Sequence, residues 1–142
     1  MTIELLAALV VIALGIVQVS LQAIEYRRVH GVRYPNTPQD APPTTPDSIL
    51  LGRLTRALRN LHETLPFFLG VVIILALIGV STPTTRWAAI VFAGARIVYL
   101  PLYAIGIPYL RGLVWTISFA ALITLVGATL GAVDWTGVVG LI

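Results

Sequence analysis

Several apolar runs in this chain approach the roughly 20 residues that a helix needs to cross about 30 Å of hydrocarbon. Runs of that length leave few options. Inside a bilayer each backbone N–H and C=O must be satisfied within its own segment, so the segments become helices. Hydrophobic residues make up 58% of the 142 residues and charged residues 11%. Mean hydropathy is +0.94. This is not the balance of a soluble domain. The expected fold is all-α: one domain, residues 1–142, forming an integral membrane four-helix bundle.

The first helix is expected over about residues 3–26. It is nearly all Leu, Ala, Val and Ile, with Gln18, Ser20 and Gln22 toward its far end. It does not read as a signal peptide. Its start carries Glu4 and no basic residue, and its apolar run exceeds the 7–15 residues of a signal core. Gln18 and Gln22 share a face and should turn toward protein. Arg27, Arg28 and Arg33 close this segment. A Pro-rich, water-exposed loop over about residues 34–47 follows, holding Pro35, Pro38, Pro42, Pro43 and Pro46. Thr45-Pro46 reads as a helix start, threonine as N-cap and proline in the first turn. The second helix is expected over about 46–80, roughly 50 Å, longer than the hydrocarbon core. Pro66 should bend it where its polar half meets its apolar half. The third helix is expected over about 84–106, with Arg96 in its interior and Pro101 as a second bend. The fourth spans about 109–133, with Arg111 in its first turn and Asp134-Trp135 at its exit.

All nine basic residues are arginine. Most lie on one side of the predicted topology, which the positive-inside rule makes cytoplasmic, with both termini outside. Trp87 and Trp135 would sit at the outer interface, and Tyr109 and Trp115 nearer the inner one. The net charge of +3 is therefore an orientation signal, and no nucleic-acid partner is expected. Cysteine is absent and there are two histidines, so neither a thiolate nor a histidine-rich metal site is expected. Arginine without lysine, with much Ala, Val and Gly, suggests a bacterium of GC-rich genome and its inner membrane.

The chemistry concentrates between Arg53 and Glu63. With Arg53 at zero, Arg56 falls at about 300°, Asn60 at about 340° and Glu63 at about 280° around a helix. These four side chains share one arc about 80° wide, with Arg59 beside it, and the stripe runs on through Phe67. It is expected to face protein. In the third helix Arg96, Tyr99 and Tyr103 are spaced i, i+3, i+7 and form one face. An unpaired arginine at that depth is costly; it needs a carboxylate, a carbonyl or an anionic ligand, and Glu63 is the nearest expected protein partner. Arg53, Arg56, Arg59, Arg96 and Arg111 converge with one carboxylate among them. Such a surplus suits a polyanionic, partly peptidic ligand. The alternative is an ion-pair network that only orients helices and subunits.

The run Arg53-x-x-Arg56-Ala57-x-Arg59-Asn60-x-x-Glu63-x-x-Pro66-Phe67 resembles the signature of the membrane-associated proteins in eicosanoid and glutathione metabolism (MAPEG). The stretch from Ala95 to Arg111 is similar to bacterial members of that family, of the microsomal glutathione transferase kind. The resemblance implies a homotrimer of four-helix subunits with glutathione, a cosubstrate, bound between neighbours. It implies that Arg56, Asn60 and Glu63 hold glutathione's polar ends, with Arg53 and Arg59 beside them. Tyr99 and Tyr103 would line the site, Arg111 would face the thiol, and Arg27 or Arg28 could join. The implied activity is transfer of glutathione to, or reduction of, lipophilic small molecules taken from the bilayer. Gly112 stands where the family's prostaglandin E synthases carry serine, which argues against that isomerisation. The family also includes a lipid-binding scaffold without catalysis, so a non-catalytic trimer is the alternative.

Overall fold

The computed structural model describes residues 1–38, 40 and 42–133. Four helices follow in order: α1 (Ile3–His30), α2 (Ile49–Leu77), α3 (Pro83–Ile105) and α4 (Pro108–Ala132), with a short 3-10 turn at Tyr34–Asn36. Each of the four is long and apolar enough to cross a membrane. The chain is an all-α, multi-pass membrane protein. The predicted exit at Asp134-Trp135 lies outside the described residues.

The helix ends differ from the sequence expectation, and capping explains why. α1 runs past Tyr26, so Arg27, Arg28 and His30 form its last turn, where positive charge complements the helix dipole. α2 begins at Ile49 and not at Thr45-Pro46. Ser48 is the N-cap: its Oγ accepts from the Leu51 N–H at 3.0 Å and donates to Glu25 Oε1 at 2.8 Å. A serine that caps and also reaches α1 outcompetes a threonine that would only cap. His30 Nε2 lies 2.9 Å from Asp47 Oδ1 and adds a second tie at the same place. α3 opens on a capping box between Thr82 and Thr85 with Pro83 in its first turn. It ends at Gly106, whose φ of 88° and ψ of 39° are left-handed and favour a residue without Cβ.

The core forms where all four helices meet. Phe68 of α2 and Phe92 of α3 are fully buried and stack with ring centroids 4.1 Å apart. Ala7 and Ala8 of α1, Ala89 of α3 and Ala121 of α4 close around them; small residues let helices approach where lipid offers no hydrophobic driving force. α3 packs most extensively on α4, while α1 packs on α2 and α3. Gln18 is buried, as the shared-face reading anticipated, whereas Gln22 is only partly so. Large apolar residues such as Ile16, Ile24, Leu77 and Ile123 are exposed, which suits a surface that meets acyl chains. Trp87 and Tyr109, at opposite ends of the bundle, point outward.

One buried carboxylate joins α1 to the turn between α2 and α3. Glu4 is 1% exposed. It accepts from Ser81 Oγ at 3.1 Å and from Thr85 Oγ1 at 2.5 Å. Glu4→Ala removes the acceptor of both hydroxyls and should cost about 1–3 kcal/mol. The expected readout is a lower thermal-unfolding midpoint of the protein in detergent micelles.

Candidate functional site

Contacts with α3 pick out one side of α2. Arg53, Ala57, Asn60 and Thr64 stand at i, i+4, i+7 and i+11, all within about 40° of Arg53 around the helix. This is the stripe that faces α3. Ala57 is buried against Tyr99 and Tyr103. Asn60 and Thr64 meet Arg96, and Arg53 reaches the end of α3. The arc expected from the sequence is therefore split. Arg53 and Asn60 turn inward, whereas Arg56, Arg59 and Glu63 are exposed on the flank of the subunit. Phe67, expected to face protein, is 65% exposed in the subunit.

Arg96 is the deepest charge. It is 1% exposed and sits within α3. Its Nη1 donates to Asn60 Oδ1 and its Nη2 to Thr64 Oγ1, both at 2.7 Å. The Thr64 hydroxyl then donates to the Leu61 carbonyl at 3.2 Å. The guanidinium carbon lies 5.3 Å from the Phe92 ring centroid and 5.7 Å from that of Tyr99, near enough for cation–π attraction. Glu63 is not its partner, contrary to the sequence expectation. It points off the stripe and lies 4.0 Å from Arg59 Nε, one helical turn away. Geometry explains the substitution. Asn60 and Thr64 share the inward face, and Glu63 is turned by about 80° from the Thr64–Asn60 line.

Beyond Arg96 the site becomes aromatic. Tyr99 and Tyr103 are buried and meet edge to face at 5.4 Å. The Arg111 guanidinium carbon sits 4.5 Å from the Tyr103 ring centroid. Trp115 packs beside this pair and stacks on Phe119 at 5.2 Å. Two buried donors here, Arg96 Nε and Trp115 Nε1, have no hydrogen-bond acceptor among the described residues.

Of the predicted site residues, the fold brings Asn60, Arg96, Tyr99, Tyr103 and Arg111 into one continuous line. Arg56, Arg59 and Glu63 stand on the exposed flank beside it. Arg53 donates from Nη1 to the Ala104 and Ile105 carbonyls, each at 3.0 Å. Thr64 and Trp115 were missed. Thr64 could have been found from its i+4 relation to Asn60, while Trp115 carries no local signal because the packing of α4 on α3 decides its direction. Among the described residues no group of three or more His, Cys, Asp or Glu could hold a metal ion. The arrangement is rich in cationic and neutral donors and poor in carboxylates, so it fits an anionic ligand that brings its own acceptors.

Comparison with known proteins gives one family. The profile of the MAPEG family matches residues 5–131. Neither the curated proteins nor the solved structures give a match.

Replacing Thr64 by valine keeps the shape but removes one acceptor from a buried guanidinium. Thr64→Val should destabilise the protein by about 1.5–3 kcal/mol, read as a lower midpoint in denaturant titration of the detergent-solubilised chain.

Proposed function

The chain belongs to the MAPEG family, and from that premise we propose that it is a membrane-bound glutathione-dependent transferase with peroxidase capacity. Family membership supports a membrane-bound role in glutathione metabolism. The finer reading rests on one observation. Arg96 is a fully buried guanidinium with two neutral acceptors and, among the described residues, no carboxylate partner and a spare Nε donor. A charge held this deep calls for an anion. Glutathione carries two carboxylates, an amine and a thiol, and the side chains here match them. Arg56, Arg59 and Arg96 suit its carboxylates, Glu63 suits its amine, and Asn60 suits its peptide groups. Tyr99 and Tyr103 form the wall along which the thiol end lies.

Arg111 is the residue for the thiol. A cysteinyl thiol has a pKa of about 8.5, so holding it as thiolate at neutral pH takes roughly 2 units, or about 2.7 kcal/mol. One guanidinium at about 4 Å supplies roughly 4 kcal/mol at an effective dielectric of 20. The Tyr103 ring already holds the Arg111 guanidinium at the aromatic wall. In the transferase step the thiolate sulfur forms a bond to an electrophilic carbon, and the leaving group departs with the electron pair. In the peroxidase step the sulfur attacks a hydroperoxide oxygen, the O–O bond breaks and an alcohol leaves. A second glutathione then reduces the sulfenic acid, giving glutathione disulfide and water.

Arg56, Arg59 and Glu63 lie on the exposed flank of one subunit. A homotrimer would cover that flank and supply further walls to the ligand. Thus the polar cosubstrate would arrive from the arginine-rich, cytoplasmic side of a bacterial inner membrane, and the lipophilic substrate from the bilayer. A non-catalytic trimeric scaffold is the second reading. Arg111 favours the enzyme, because its guanidinium rests on a tyrosine and forms no ion pair within the described residues.

The detergent-purified protein is expected to bind glutathione and conjugate a model electrophile. Absence of binding at millimolar glutathione would favour the scaffold. Arg111→Ala should lower turnover at least tenfold and leave glutathione binding nearly unchanged, whereas Arg56→Ala should weaken binding. Stopped-flow measurement of thiolate absorbance and equilibrium titration separate the two effects. An unchanged thiolate signal in Arg111→Ala rules out the role given to that residue.

A further inference from the structure

Arg53 belongs to the same polar run as Arg56 and Arg59, but its surroundings differ from theirs. It is half-buried. A single nitrogen, Nη1, donates to two main-chain carbonyls, Ala104 O and Ile105 O, each at 3.0 Å. These carbonyls belong to the last turn of α3, where helical partners run out. The Leu102 carbonyl takes the N–H groups of Gly106 and Ile107, at 3.0 and 3.2 Å. Arg53 takes two of the other end carbonyls, those of Ala104 and Ile105, and it sets a positive charge at the negative end of the helix dipole. Gly106 completes the seat. A Cβ at this position would run into the Arg53 guanidinium. The glycine thus serves its left-handed backbone, and its open side lets the Arg53 guanidinium keep this seat.

The next arginine along the chain after this seat is Arg111. Ile107 is followed at once by Pro108 and the first turn of α4, and the Arg111 N–H donates back to the Ile107 carbonyl at 3.2 Å. The turn that Arg53 grips thus fixes the start of α4, and with it the guanidinium that lies 4.5 Å from the Tyr103 ring. α2 and α3 exchange arginines at two levels. Arg53 goes from α2 to the end of α3, and Arg96 goes from α3 back to Asn60 and Thr64 of α2. Ala57, Tyr99 and Tyr103 are packed between the two levels.

We infer that Arg53 is a positioning residue: it ties the helix that carries Arg56, Asn60 and Glu63 to the turn that carries Arg111, and so sets where Arg111 meets the ligand's thiol. This rests on the glutathione reading above and refines it, because it takes Arg53 off the ligand and places it on the α3–α4 turn. The conservative variant is informative. Since one nitrogen makes both bonds, a lysine ammonium, one bond shorter in reach, keeps the charge and the donors they need.

The test uses the full chain in detergent with three variants, Arg53→Gln, Arg53→Lys and Gly106→Ala. Hydrogen exchange at Gly106, Ile107 and Arg111 reads the turn directly. Titration of glutathione thiolate absorbance against pH reads the position of Arg111, and equilibrium binding reads the ligand contacts. In Arg53→Gln and Gly106→Ala those amides should exchange at least tenfold faster. The thiolate midpoint should rise by about one pH unit, and the glutathione Kd should stay within threefold. Arg53→Lys should restore both the exchange and the midpoint. If Arg53→Gln weakens glutathione tenfold and leaves exchange and midpoint unchanged, Arg53 is a ligand contact and the inference is wrong. Unchanged exchange in Arg53→Gln overturns it as well. Should the wild-type chain form no thiolate at all, the glutathione reading fails, while the exchange data still decide whether Arg53 holds the turn.

Discussion

A guanidinium buried in the middle of a membrane helix is the constraint around which this subunit is arranged. Arg96 cannot turn toward lipid without a large cost, so α3 must present it to another helix. α2 receives it with an amide and a hydroxyl one turn apart. Those two acceptors fix the rotation of α2. Once Asn60 and Thr64 face α3, Ala57 and Arg53 face it as well, while Arg56, Arg59 and Glu63 face away. The depth of one charge thus sets the side of the helix on which the remaining polar residues stand.

The acceptors are neutral. A carboxylate in their place would have made a closed ion pair, electrically finished and indifferent to ligands. Asn60 and Thr64 instead orient the guanidinium and leave its charge uncancelled. Two cations near one aromatic pair, Arg96 beside Tyr99 and Arg111 on Tyr103, make a field that an anion can enter. In the proposed reaction the same field would favour a thiolate, so binding and activation would draw on one electrostatic source.

Much of this was legible in the sequence. Long apolar runs dictate membrane helices, and the Arg53–Phe67 and Ala95–Arg111 runs carry the family resemblance. Periodicity put Arg96, Tyr99 and Tyr103 on one face, and they do lie together. It was less informative on α2. Asn60 lies within the polar arc, and which half of that arc meets α3 depends on contacts between residues more than thirty positions apart, such as Arg96 with Asn60 and Thr64. Charge pairing suggested Glu63 for Arg96 because opposite charges attract; the structure uses hydroxyl and amide acceptors that pairing rules rank lower. The start of α2 was misplaced for a related reason. Thr45-Pro46 is a good local signal, but Ser48 caps the helix and also reaches Glu25 on α1, a contact no local rule contains.

That contact has a consequence for the connection between α1 and α2. Ser48 with Glu25, and Asp47 with His30, join the departure of the segment to its return. Such a neck separates the geometry of the segment from that of the helices it connects. Adding residues beyond the neck changes closure entropy only with the logarithm of length. A change in length or sequence beyond the neck would therefore leave the helix that carries the polar residues in its register.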